Sequence, residues 1–245
     1  MSGPDWSLRP ARDHGLSPDE RLRSQGRERG LGSLVTGGVW RFAVRAYLTV
    51  FHQLRVVGIE HLPAPPFVMI ANHSSHLDAL TLAAALPWSA ARHAFALAAG
   101  DTFFTSTPAS VFAAYAVNAL PVWRARTTAA DLLGLRARLI EDGVVYILFP
   151  EGTRSRTGEI GPFKPGIAAL VAGTAVPVVP CYLHGAAAAW PAGRTMPRPG
   201  RLQLRIGPPL NFSGAASDRA GGQAVADACR EAVLALRTDD AIGSL

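Results

Sequence analysis

An α/β fold, with one mixed sheet flanked by helices in a single domain, is what three features of this chain predict. Five short runs rich in branched and aromatic residues recur along it, helical windows separate them, and the middle runs are apolar at nearly every position. Strands alternating with helices predict an α/β sandwich. Unbroken apolarity predicts strands covered on both faces. The 245 residues, 49% of them hydrophobic, suffice for one sizeable core.

Residues 1–32 mix Arg, Asp, Ser, Gly and Pro without periodicity, which predicts a flexible Arg-rich tail. They hold no apolar segment of the secretory type. Residues 33–56 read as an amphipathic helix that associates with a membrane surface. At about 100° per residue, Arg41, Arg45, His52 and Arg55 fall in a narrow stripe, and Trp40, Phe42, Val44, Tyr47, Leu48, Val50 and Phe51 cover most of the remainder. Aromatic residues beside arginine are the composition of an interfacial helix. The competing reading is a helix docked on the core with its arginines in water.

Residues 57–240 carry the α/β pattern. Strands are expected at "FVMIAN", "HAFALAA", "VVYILFP", "VPVVPCYL" and "RLQLRIG". The clearest helix is "TTAADLLGLRARLIEDG", capped by Thr127 or Thr128, with Asp131 in its first turn, Leu132, Leu135, Leu139 and Ile140 facing inward, and Gly143 as its stop. A last helix, Asp218 to Arg237, turns Val225, Ala228, Val233 and Leu234 toward the core. The most hydrophobic window, Ala79 to Ala99, is interrupted by Pro87 and Arg92, so a soluble or membrane-peripheral protein is expected.

Charge narrows the partners without choosing among them. Twenty-four basic residues against 18 acidic ones leave a formal charge of +6, and Lys164 is the single lysine. That balance suits anionic lipid surfaces, phosphorylated substrates or nucleic acid. Cys181 and Cys229 are too few for a disulfide framework and imply a reducing compartment.

Two motifs carry chemistry. In "NHSSHLD", His73 follows a strand and Asp78 opens a helix, so a tight turn can bring the carboxylate to the imidazole Nδ1 and leave Nε2 as a base. The competing readings are a capped polar loop and a metal site of His73, His76 and Asp78. In "LFPEGTRSRTG", Gly152 lets backbone N–H groups approach an anion, Arg154 and Arg156 can clamp a phosphate, and Thr153 and Ser155 add hydroxyl donors. Lys164, in "GPFKPG", adds a point charge nearby. The turn follows a buried strand, where α/β proteins place ligand contacts. Cys181, three residues before His184, reads as a small buried residue rather than a nucleophile.

The ordered set "NHSSHLD", "FPEGTRS" and "VPVVP" resembles the glycerophospholipid acyltransferase family, which includes 1-acylglycerol-3-phosphate acyltransferases, over about Val56 to Leu210. The resemblance implies that His73 and Asp78 form a catalytic dyad and that Glu151, Gly152, Thr153 and Arg154 belong to the glycerophosphate-binding block. The family's second block is matched by "NALPVWR", with Asn118 in place of a glycine, Pro121 in place of an aromatic residue, and Arg124 as a further phosphate contact. The implied reaction moves an acyl group from acyl-CoA or acyl carrier protein to a lysophospholipid hydroxyl, with no acyl-enzyme and no resident cofactor or metal. The implied setting is peripheral, at the cytoplasmic face of a membrane, with no nucleic acid partner. A metal-dependent hydrolase and a non-catalytic lipid-binding protein are the alternatives.

Overall fold

The computed structural model describes residues 13–17, 20, 24–25, 31–99, 118–122, 128–191 and 193–237. Seven strands form one sheet: β1 (Arg55–Val57), β2 (Phe67–Ala71), β3 (Ala94–Ala99), β4 (Ala119–Val122), β5 (Val145–Leu148), β6 (Val178–His184) and β7 (Gln203–Ile206). Their spatial order is β1-β7-β6-β2-β5-β3-β4. Strands β2 to β6 run parallel, whereas β7 pairs antiparallel with β6 and carries β1 parallel to itself at the edge. The sheet is therefore mixed, and all five expected strands are present.

The two faces of β2 explain its unbroken apolarity. Phe67, Met69 and Ala71 enter one core layer and Val68 and Ile70 the other, because successive strand side chains point to opposite faces. Helices α1 (Leu31–His52) and α2 (Asp78–Ala85) cover the first layer, with Val44, Leu48 and Leu82 buried in it. The short α3 (Trp88–Ala91) leads into β3. Helix α4 (Ala129–Glu141), the short α5 (Ala168–Val171) and α7 (Arg219–Ala235) cover the second layer, while α6 (Ala186–Ala189) opens the connection from β6 to β7.

Several expectations are corrected. The helix expected to run through residue 56 stops at His52, where Gln53 takes a φ of 47°, and the chain then enters β1. His52 does not join a solvated basic edge. It is the last residue of α1 and fully buried, with Nε2 3.1 Å from the Tyr47 hydroxyl and its ring edge-on to the Tyr47 and Phe51 rings. On α4, Ile140 is 47% exposed and Arg138 is buried in its place. The Arg138 guanidinium lies 4.4 Å from the Phe95 ring centroid and donates to the Gln25 carbonyl, so its apolar stem fills the inward position. Of the two caps expected for α4, Thr128 is the one used, in a reciprocal capping box with Asp131.

Two strands escaped the sequence reading. β1 spans three residues, and β4 contains Pro121, which lacks an N–H and is accommodated at the sheet's edge. Asn118, standing where the resembled family has glycine, has a φ of 49°, a region that asparagine tolerates better than most residues. Most of the expected tail lies outside the described residues. Within it, Gln25 Nε2 donates to the Pro121 carbonyl at 3.0 Å.

Candidate active site

The site forms where β2 and β5 end. These strands are parallel neighbours with Ile70 opposite Leu148, so the turns that follow both leave at the same edge of the sheet. The first turn carries "NHSSHLD" and the second "FPEGTRS". Asn72 anchors the first: its Nδ2 donates to the Leu183 carbonyl at 3.1 Å and its Oδ1 accepts the Leu183 N–H at 2.8 Å, tying the turn to β6.

Asp78 is wholly buried at the start of α2 and points back into the turn. Its Oδ2 lies 2.8 Å from His73 Nδ1 and accepts the N–H groups of Ser74 at 2.7 Å and Ser75 at 2.8 Å. A carboxylate holding those two amides is an acceptor, so Nδ1 is the donor and Nε2 keeps its lone pair. The His73 side chain remains 17% exposed. Phe149 stacks on its ring with centroids 4.2 Å apart and planes 19° apart, which limits rotation of the imidazole.

The second turn grips the first through the backbone. Glu151 Oε1 accepts the His73 N–H at 2.7 Å, its Oε2 accepts the Gly161 N–H at 3.0 Å, and Ser155 N donates to the His73 carbonyl at 2.7 Å. Burial pushes the Glu151 carboxyl above its ordinary range, opposed by the two backbone amides and by His73. Gly152 has a φ of 72°, and a Cβ there would stand 2.7 Å from Lys164 Nζ, so the lysine crosses the loop only because this residue has no side chain. Arg154 brings a guanidinium nitrogen within 2.8 Å of His76 Nε2, and His76 leans on Trp190 with centroids 5.0 Å apart. Ser155 turns its hydroxyl inward to accept the Gly158 N–H at 3.0 Å, whereas Thr153 and Lys164 are exposed.

A family model described as Acyltransferase matches residues 53–184, more than half of the chain. The chain belongs to the acyltransferase family. Among relatives of this acyltransferase-family chain, a chloroplastic 1-acyl-sn-glycerol-3-phosphate acyltransferase of Brassica napus is 32% identical over 151 residues, 58% of the chain and 40% of the relative. The mouse 1-acyl-sn-glycerol-3-phosphate acyltransferase alpha is 28% identical over 190 residues, 75% of the chain and 63% of that protein. The match therefore spans less than two thirds of either relative. A crystal structure of the 1-acyl-sn-glycerophosphate acyltransferase PlsC from Thermotoga maritima superposes with a TM-score of 0.62 at 25% identity, covering 84% of this chain and 81% of that one.

Within this acyltransferase fold, the residues singled out from sequence separate into groups. His73, Asp78, Glu151, Gly152, Arg154 and Ser155 converge on the two turns, and Lys164 reaches them across Gly152. Arg124 lies outside the described residues. Cys181 is fully buried in β6, where desolvation raises its thiol pKa well above the usual range. Among the described residues, no group of three His, Cys, Asp or Glu side chains is placed to hold a metal ion. Asn72, Phe149 and Trp190 were not selected from sequence, because an apolar or amide residue beside a motif looks like ordinary core.

Proposed function

We propose that this protein is an O-acyltransferase that moves a fatty acyl group from a thioester, acyl-CoA or acyl carrier protein, to the free hydroxyl of a lysophospholipid such as 1-acylglycerol-3-phosphate. The observation that carries this reading is the His73–Asp78 pair, 2.8 Å apart, in a turn joined through its backbone to a loop bearing Arg154 and crossed by Lys164. His73 Nε2 accepts the hydroxyl proton as that oxygen attacks the thioester carbonyl. The tetrahedral intermediate then collapses, the C–S bond breaks, and the departing thiolate takes the proton from His73. Asp78 holds the tautomer and stabilises the imidazolium in between.

Arg154, Lys164 and, by the family pattern, Arg124 are assigned to the acceptor phosphate. Glu151 has a different role in this proposal: with both oxygens on backbone amides, it holds the base's peptide rather than an anionic substrate. Helix α1 supports a peripheral position on a membrane, since Val39, Phe42 and Val50 are 68%, 76% and 82% exposed along it. No helix among the described residues is long and apolar enough to cross a membrane.

The test is a panel of lysolipid acceptors offered with one acyl-CoA and one acyl carrier protein, with His73→Ala as the blank. Transfer to 1-acylglycerol-3-phosphate that vanishes in His73→Ala is expected. Unchanged turnover in that variant sinks the base assignment, and no transfer from either donor sinks the activity.

A further inference from the structure

The connection from β6 to β7, residues 185–202, is a closed loop. His184 pairs with Gln203 across its base, and a Cβ on Gly185, whose φ is 81°, would overlap the Arg201 carbonyl oxygen. Inside it, Trp190 Nε1 donates to the Arg194 carbonyl at 2.9 Å and Arg198 N donates to the Ala189 carbonyl at 2.8 Å. Such a loop is packed on itself rather than merely long.

Its two sides are fastened to different parts of the molecule. On one side, Ser75 Oγ and His76 N donate to the Trp190 carbonyl at 2.7 Å and 3.3 Å, which fixes the loop to the turn that carries His73. On the other, Leu202 N donates to the His52 carbonyl at 2.9 Å and Arg55 N donates to the Leu202 carbonyl at 2.9 Å, which fixes it to the end of α1. The loop thus bridges the catalytic turn and the outer helix.

Its charge is one-sided. From His184 to Ser217 the chain contains no acidic residue. Arg198 and Arg201 are exposed and Arg194 is half-buried, and among the described residues none of the three guanidinium groups has a hydrogen-bond or ion-pair partner. Arg205 differs, since it donates to the Leu236 carbonyl and to Gln203 Oε1. Met196, between the arginines, is 71% exposed. At the loop's far anchor stands the part of α1 that exposes Val50 and Phe51, flanked by the exposed Arg45 and Arg55.

We infer that this loop is a second membrane contact, in which Arg194, Arg198 and Arg201 bind the phosphates of anionic lipid headgroups while α1 enters the same surface with its apolar face. The inference rests on the proposal that α1 is interfacial. Uncommitted guanidinium groups match phosphate oxygens in charge and geometry. Continuity with the exposed apolar residues of α1 favours a lipid surface over an acidic soluble protein, which would leave those residues in water. Because the same loop holds Ser75 and His76, contact at its arginines keeps the catalytic turn at headgroup depth, where a lysolipid presents its hydroxyl.

Flotation of the full chain with phosphatidylcholine vesicles, with and without phosphatidylglycerol, tests this. The triple variant Arg194→Gln, Arg198→Gln, Arg201→Gln should lose partition to the anionic vesicles by on the order of a hundredfold, about fivefold per arginine. Its partition to neutral vesicles should barely change. The triple Arg→Lys variant, which keeps the charge, should retain most of the anionic binding. Equal partition of the Gln variant and the parent protein overturns the inference, as does equal loss in the Gln and Lys variants. A Gln variant that binds vesicles normally but needs more acyl carrier protein also overturns it, and assigns the loop to an acidic protein. Phe42→Ser with Val50→Ser tests α1 separately: it should weaken binding to both vesicle types. If only that pair is silent, α1 does not enter the surface and the inference fails with it, whereas a silent Gln variant beside a weakened Phe42/Val50 variant overturns the loop alone; if the parent protein binds no vesicle, both fail.

Discussion

The Glu151 side chain is joined to the backbone of His73 rather than to its imidazole: the carboxylate accepts the His73 N–H at 2.7 Å across 78 residues of sequence. The same carboxylate takes the Gly161 N–H with its other oxygen. Under the proposed reaction, its expected effect on chemistry is positional. Glu151→Gln keeps one acceptor but turns an NH2 toward a backbone N–H, so one bond is lost and two donors oppose each other. Steady-state kinetics should show kcat lowered by about a hundredfold with the acceptor KM little changed. A large rise in KM at constant kcat would instead place Glu151 on the acceptor.

Asp78→Asn should lower kcat by as much as about four orders of magnitude: His73 Nδ1, Ser74 N and Ser75 N all bond to the one oxygen Oδ2, so an amide oxygen can still accept them, but the neutral amide no longer stabilises the imidazolium, and its NH2, turned toward Nδ1, selects the wrong tautomer. Single-turnover acyl transfer measures this. A residual rate within tenfold of the parent would remove Asp78 from the mechanism.

Gly152→Ala places a methyl group where Lys164 crosses, at a φ that costs a non-glycine residue about 1–2 kcal/mol. The lysine must move aside. The acceptor KM should rise and the melting temperature fall, and a variant with parental values of both would show that the lysine's path is immaterial.

The raised pKa of Glu151, caused first by burial, means that the folded state holds its proton more tightly than the unfolded chain does. Between the ordinary carboxyl pKa and the raised one, this group's contribution to stability falls as pH rises. Urea titrations across that window should show the parent losing stability relative to Glu151→Gln with increasing pH. A difference that stays flat or grows the other way contradicts the direction of the shift.

Both cysteines should be silent toward thiol reagents in the folded protein. Cys181 and Cys229 are fully buried, and desolvation pushes the Cys229 thiol up to about 12, so neither is exposed as a thiolate at neutral pH. An aromatic disulfide reagent should label neither until denaturant is added. Fast labelling of Cys181 in native protein would reopen the thiol reading.

Local pattern was enough for what depends on near neighbours. The buried strands, the Thr128–Asp131 cap and the turn that brings Asp78 to His73 are settled within a few residues, so periodicity and spacing exposed them. It failed where one position has two outcomes. Arg138 and Ile140 sit near the same boundary of α4, and it is Arg138 that turns inward, where its guanidinium lies over the Phe95 ring and donates to the Gln25 carbonyl. His52 reads in the sequence as part of a basic stripe, whereas in the fold it is buried against Tyr47 and Phe51.

The two chemical motifs, with their residue types and order, were written in the chain. That they form one site was decided by the pairing of β2 with β5, in parallel and with Ile70 opposite Leu148. No local rule dictates which strands become neighbours, because that choice depends on how both core layers pack at once. The same tertiary choice sets both oxygens of Glu151, which the family resemblance assigns to the glycerophosphate-binding block, on backbone N–H groups, one of them that of His73. A carboxylate's role is set by which donors reach it, and those donors, His73 and Gly161, meet at Glu151 only in the folded chain.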